Sequence, residues 1–306
     1  MKSSRTTAQV AMFLSGFLMG FVGLFVSFFS TRSIYTIVTL RGLFGCLWFA
    51  LFFFLDKKWG SFRSVWKQAP LGAIGQGVTG ALCIFFYFNA IALLDYATAA
   101  FLLYLAPILT VLVKWIFLKN KPQRISFIAF PIALLGLFFI LAVWDGTANA
   151  AGLIYGVLSG ITLCLSQVIR AKIFADAEHL SEEAQKSLYM PLAFLTTLAL
   201  FFGFVFSSDL ASVPLSRSEL GVAILLGLLP TALPFYLFNI GLGKDDGGDL
   251  LILTYSEPVM AALLSVIVDQ TLAWFTLVGG ALILLANILS LLSTRQKAYT
   301  AAVKLK

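Results

Sequence analysis

Apolar runs of about 20 residues, the length a helix needs to cross a bilayer, follow one another along almost the whole chain, separated by short polar connections. Ten spans are expected, near 9–29, 34–55, 71–92, 96–118, 126–144, 151–172, 187–207, 221–241, 249–268 and 272–293. The clear polar stretch inside the chain is 174–186, with Asp176, Glu178, Glu182 and Glu183. Glu182 and Lys186 stand four apart there, a spacing that suits a short solvated helix. The first run follows Lys2 and Arg5 as a signal peptide would. It is too long for that and lacks an A-x-A site, so it reads as an uncleaved span.

Composition and charge place those helices in lipid. The chain is 60% hydrophobic and 11% charged, against roughly 25% charged in soluble domains. Too few polar groups remain to cover a water-facing surface, so the bilayer is the main partner. The net charge of +7 needs no nucleic acid to explain it, because basic residues collect in cytoplasmic loops. With the N-terminus inside, 18 of the 21 Lys and Arg residues fall in cytoplasmic segments; Arg32 and Arg217 lie outside and Arg41 within a span. This bias predicts a multi-pass protein of the cell (inner) membrane with both termini cytoplasmic. An even number of spans follows. Trp59, Trp66, Trp144 and Trp274 fall at span ends, as interfacial residues do.

A repeat gives those spans an arrangement. Phe88-Asn89 recurs as Phe238-Asn239, and Tyr104-Leu105-Ala106-Pro107 recurs as Tyr255-Ser256-Glu257-Pro258. The first copy runs on to the basic group Lys119-Asn120-Lys121, the second to the acid Asp269 with no basic residue nearby. The two copies therefore leave the membrane on opposite faces. Halves 1–147 and 148–306 hold five helices each, and an odd number inverts the second half. The expectation is an all-α membrane protein of ten transmembrane helices built as two inverted five-helix repeats, the architecture of many secondary transporters.

Polar groups inside the apolar runs mark the candidate site. Arg41 and Glu257 are the ionisable groups deepest in spans, at a cost of roughly 2.5–3.5 kcal/mol each at a helix centre, which argues against facing lipid. Arg41 either ties the second helix to carbonyls or polar neighbours, or touches substrate. Glu257 has Ala106 as its repeat partner, so one acid breaks the symmetry. Such a carboxylate could take a proton, pair with a substrate amino group, or serve as a buried partner for Arg41. Pro107 and Pro258 fall inside the fourth and ninth helices, and Pro230 and Pro234 interrupt the eighth, all as bends that free carbonyls. Gln76 is a polar group facing the interior. Tyr87, Tyr104, Phe235, Tyr236 and Tyr255 lie on the repeated segments and are pocket candidates. Asn89 and Asn239 either hold a cavity and its gates by amide hydrogen bonds or cap their helices.

Glycine spacings carry a choice of partner. Gly16/Gly20 and Gly152/Gly156/Gly160 suit either dimerisation or, the favoured reading, packing of the two halves on each other. Monomer and homodimer both stay open. Gly75-Gln76-Gly77-Val78-Thr79-Gly80 spells a dinucleotide fingerprint but lies inside a span, without the strand that motif requires. Close helix packing is the better account.

Other chemistries fare poorly. Cys46, Cys83 and Cys164 sit in apolar runs as packing residues, so no metal, cofactor or disulfide is expected. An intramembrane enzyme needs facing acids or a Ser–His pair within spans, but the single histidine, His179, is in the polar loop. No H-E-x-x-H or P-loop motif occurs. A secondary carrier of a small organic molecule, with or without proton coupling, is the leading reading. An uptake carrier for another metabolite or a nucleotide-like compound is the alternative, and an enzyme the weakest.

The chain resembles the drug/metabolite transporter superfamily, specifically the ten-helix EamA-like carriers. Arg41 within Thr39-Leu40-Arg41-Gly42-Leu43-Phe44, the Phe88-Asn89-Ala90 end of the third helix, Ala99 to Pro107 in the fourth, and Tyr255-Ser256-Glu257-Pro258-Val259 in the ninth carry the likeness. Two departures stand out. Lys119-Asn120-Lys121 replaces an acidic residue after the fourth helix, and the loop Gly243 to Asp249 is acidic. The resemblance implies a carrier of small organic metabolites, often an exporter of amino acids. It also implies that helices 1, 3, 4, 6, 8 and 9 ring a central cavity, with 5 and 10 peripheral.

Overall fold

The computed structural model describes residues 5–29, 31–56, 60–118, 125–141, 149–177, 179–180, 185, 187–242, 250–270 and 273–304. Among these, seven helices are long and apolar enough to cross a membrane, and three shorter apolar helices accompany them. The elements are α1 (Arg5–Met19), α2 (Val22–Ser27), α3 (Ile34–Asp56), α4 (Gly60–Gln68), α5 (Pro70–Leu93), α6 (Tyr96–Leu103), α7 (Ala106–Leu118), α8 (Ser126–Leu141) and α9 (Ala150–Asp176). They continue with α10 (Tyr189–Phe204), α11 (Arg217–Gly227), α12 (Leu233–Leu242), α13 (Ser256–Leu264) and α14 (Trp274–Lys304). The all-α membrane fold expected from the apolar runs is thus what forms.

Several expected boundaries move. The sixth helix runs to Asp176 and the tenth to Lys304, beyond the apolar stretches near 172 and 293. Hydrogen bonding along a helix does not stop where hydrophobicity does. The eighth begins at Arg217, because Ser216 and Glu219 form a capping box that satisfies the first free N–H groups. Between the second and third spans the chain forms the amphipathic α4, which apolar-run counting passes over. Glu182, Glu183 and Lys186 of the expected solvated helix, the Lys119–Lys121 group, the acidic loop and Trp59 and Trp144 lie outside the described residues.

Among the described residues, four spans are broken rather than continuous. The first is interrupted by a turn at Gly20–Phe21, between α1 and α2. The fourth breaks at Tyr104–Leu105, between α6 and α7. In the eighth a π-type turn at Leu228–Ala232 holds Pro230 outside helical geometry. The ninth passes from a 3₁₀ segment, Leu250–Tyr255, into α13.

Glycines set how closely these segments approach. A Cβ on Gly16 would fall 2.5 Å from the Thr254 carbonyl oxygen, and one on Gly20 would fall 2.8 Å from that of Glu257. In the other half, a Cβ on Gly160 would meet the Leu102 carbonyl oxygen at 2.8 Å. The first span therefore hugs the ninth and the sixth hugs the fourth, which places both glycine spacings inside the chain. Gly77 and Gly80, in the middle of α5, lie against Leu195 and Thr196 of α10, so the fingerprint-like glycines pack helices. Gly136 and Gly279 bring α8 and α14 together backbone to backbone.

The main pairings join spans three and six, one and eight, two and seven, five and ten, three and seven, two and eight, four and six, one and nine, and four and nine. Exchange each span with the one five later and this set of pairings is unchanged. The largest buried cluster, including Phe29, Ile37, Leu40, Tyr87, Phe88, Leu200 and Leu264, draws on both halves.

Candidate functional site

The breaks in the fourth and ninth spans meet. Tyr104, at the end of α6, stands against Tyr255, at the start of α13, with ring centroids 5.4 Å apart and edge to face. The Tyr104 hydroxyl lies 2.9 Å from Glu257 Oε2 and 3.1 Å from the Thr254 carbonyl oxygen, sharing its one proton between them. The Thr254 carbonyl, in the 3₁₀ turn that leads into α13, is thus one of the groups that fixes Tyr104. Glu257 occupies the first turn of α13, where the partial positive charge of a helix N-terminus favours a carboxylate. It is half-buried, while Tyr104 and Tyr255 are 8% and 9% exposed. From the other side, Asn287 Nδ2 donates to the Tyr104 carbonyl oxygen at 2.7 Å.

The prolines of the eighth span free backbone carbonyls. Pro234 leaves the Pro230 carbonyl without a helical donor, and Arg41 Nη2 donates to it at 3.0 Å. Pro230 in turn orphans the Leu226 carbonyl, which Thr231 Oγ1 meets at 2.7 Å. Ser15 Oγ reaches the Pro234 carbonyl oxygen at 2.8 Å from the first span. Inside lipid, freed backbone groups need such partners, and here each is supplied by a side chain.

Arg41 is 5% exposed and its guanidinium sits 5.1 Å from the centroid of Phe88. Its charge acts on Glu257 and Tyr87, and Tyr87 lies within electrostatic reach of both. Among the described residues, Arg41 and Glu257 form no direct ion pair. Its Nε is buried with no partner. The structure therefore brings Arg41, Tyr87, Tyr104, Tyr255 and Glu257 into one neighbourhood, with Pro107, Pro230, Pro234 and Pro258 at the breaks around it.

Other candidates lie apart. Gln76 Nε2 donates to Ser166 Oγ at 3.2 Å and approaches Thr196 Oγ1 at 3.5 Å, tying the third span to the sixth and seventh. Phe235 and Tyr236 belong to an aromatic cluster with Phe49, Phe52, Phe53, Phe62 and Phe194. Asn89 donates to the Phe85 carbonyl of its own helix at 2.8 Å, and Asn239 Oδ1 is buried with no partner.

Asn287, Thr231 and Ser15 were not legible as candidates. Asn287 had a signal, because it is the lone polar residue in the run Ala281 to Leu289. Thr231 and Ser15 are small hydroxyls that pass unnoticed in apolar runs.

Broken apolar helices that satisfy their own backbone and enclose a paired acid define a multi-pass membrane protein with a polar centre. The EamA-like transporter family model matches the chain twice, over residues 6–142 and 150–292, and the chain belongs to that family. An uncharacterized transporter of Archaeoglobus fulgidus is 29% identical over 280 residues, which cover 90% of this chain and 93% of that protein. The aromatic amino acid exporter YddG of Ancylobacter novellus is 27% identical over 199 residues, covering 65% of this chain and 66% of the exporter. A solved crystal structure superposes with a TM-score of 0.63 at 20% identity, over 95% of this chain and 99% of that one, which is a likeness of fold. The chain is thus a transporter-family membrane protein, and the family calls for a small-molecule substrate.

Proposed function

We propose that the chain is a secondary carrier that exports a small organic metabolite, an amino acid or a related amphiphilic compound, by alternating access. The observation that carries this reading is the Tyr104–Glu257 hydrogen bond at the meeting of two broken spans. A carboxylate there can hold either a proton or the ammonium group of a substrate, but not both. Exchange of one for the other couples outward movement of substrate to inward movement of protons. The rings of Tyr104 and Tyr255 offer π faces to the cation and apolar surface to the side chain it carries. Arg41, held by the Pro230 carbonyl, supplies a fixed cation to the same neighbourhood. At the equivalent place in the first half stands Ala106, so the acid breaks the symmetry of the repeat.

Two inverted repeats, 1–147 and 148–306, would rock about this centre. The span pairings, unchanged by exchange of the halves, support that arrangement, as does the contact between the repeat-equivalent Tyr104 and Tyr255. The relative named as an aromatic amino acid exporter supports the substrate class. The bias of 18 of 21 basic residues supports the inner membrane with both termini cytoplasmic.

The test is Glu257→Gln in reconstituted vesicles, which keeps shape and removes charge. A charge-assisted hydrogen bond contributes about 1.5–3 kcal/mol, so amino acid flux should fall roughly ten- to hundredfold and lose its response to an imposed pH gradient. Wild-type flux with wild-type pH dependence would overturn the proposal.

A further inference from the structure

Helix α4 takes no part in the Tyr104–Glu257 neighbourhood, and its two faces differ. Phe62 and Val65 turn inward: Val65 is 1% exposed, and the Phe62 ring lies 4.5 Å from Phe53 and 5.2 Å from Phe194. Arg63, Trp66 and Lys67 turn outward and are exposed, Trp66 by 54%. Arg63 and Lys67 stand four apart, on one side of the helix. Among the described residues, neither has a carboxylate within ion-pair distance. Between α4 and α10 opens a cleft of about 300 Å³, lined by Phe62, Arg63, Val65, Trp66 and Leu195. Its walls are apolar, and the basic Arg63 is among the residues that line it.

The position of this helix says what the cleft meets. It joins the ends of two apolar spans, so it lies at the level where hydrocarbon gives way to headgroups. An amphipathic helix with basic residues on one face and a tryptophan beside them is built for that plane. Cations there attract anionic lipid. The volume suits part of one acyl chain and is too small for a folded partner.

We infer that the cleft binds an anionic phospholipid, with its acyl chain against Trp66 and Leu195 and its phosphate against Arg63 and Lys67. An occupant there braces α4 against the second and seventh spans through Phe62, Phe53 and Phe194, and so stabilises the aromatic cluster behind them.

The test compares purified protein in nanodiscs of phosphatidylcholine with nanodiscs of phosphatidylcholine and phosphatidylglycerol. Unfolding temperature and the lipid retained in native mass spectrometry are the readouts. Wild type should retain phosphatidylglycerol preferentially and unfold at a higher temperature in the mixed discs, since binding to the folded state stabilises it. The double variant R63Q/K67Q should lose about fivefold in preference for each charge and lose the temperature difference. Leu195→Trp fills the cleft while keeping both cations, and should lose the preference too. Should that variant fail to fold, Trp66→Ala, which removes one wall, takes its place. Equal retention of both headgroups by wild type overturns the inference. So does a cleft variant that keeps the full preference, which would leave only diffuse surface charge. Stabilisation by inorganic phosphate in plain phosphatidylcholine discs would assign the cations to a soluble anion and also overturn it.

Discussion

Tyr104 reaches two groups of the ninth span at once, the carbonyl of Thr254 and the acid Glu257, one residue before Pro258. Tyr104→Phe keeps the ring against Tyr255 and removes the hydroxyl. It should cost about 1–3 kcal/mol of stability, because Thr254 and Glu257 lose a buried donor, and it should weaken substrate binding in a ligand thermal-shift assay. Asn287→Leu tests the other side of the same residue. It bares the Tyr104 carbonyl, with a similar expected loss read as a lower unfolding temperature. The importance of Glu257 and Arg41 could be read from sequence, since a charge in an apolar run needs a reason. The partner of Arg41 could not, because Pro230 lies 189 residues away and offers a backbone atom, which has no sequence signature. Gln76 and Tyr236 lie on apolar runs as plausibly as Tyr104 does. Only tertiary packing separates them from it.

At the scale of elements, the glycines differ although their sequence spacing looks alike. A Cβ on Gly160 would meet a backbone oxygen at 2.8 Å, whereas one on Gly75 would meet the tip of Ile169 at 3.7 Å. Gly160→Ala should therefore cost about 1–3 kcal/mol through overpacking between the sixth and fourth spans. Gly75→Ala should be neutral or stabilising, since alanine is favoured over glycine in a helix by about 1 kcal/mol. Thermal unfolding of both variants checks the contrast, and equal losses would contradict it. The breaks in spans four, eight and nine were marked by proline. The break at Gly20–Phe21 carries only a glycine, a residue that also serves for close packing, so the sequence left it ambiguous.

For the whole molecule, a polar tie joins one end of the two halves. Arg32 grips Glu219 through two hydrogen bonds of 2.6 and 2.9 Å, donates to the Val213 and Pro214 carbonyls, and lies 3.9 Å from Asp209. The Glu219 hydrogen bond raises the Arg32 guanidinium further above its ordinary pKa, so the cation of the tie stays charged at any physiological pH. If transport alternates, single cysteines at Asn89 and Asn239, in a chain lacking Cys46, Cys83 and Cys164, should change labelling in opposite directions when substrate is added. Arg32→Gln should shift the balance towards labelling at Asn89, on the tied end. Labelling of both positions that ignores substrate would count against a rocking mechanism.

Hydrophobic periodicity, charge placement and an internal match determined the all-α membrane fold and the likeness to this family. These are properties summed over twenty-residue windows, where lipid and water discriminate strongly and single residues hardly matter. Tertiary structure alone decided which polar groups share a centre. That choice depends on where helices break and which carbonyls are left bare, and on which distant side chain arrives to meet them. A proline announces the bare carbonyl in sequence, but its partner is selected by packing across the two halves, among donors the sequence presents as equals.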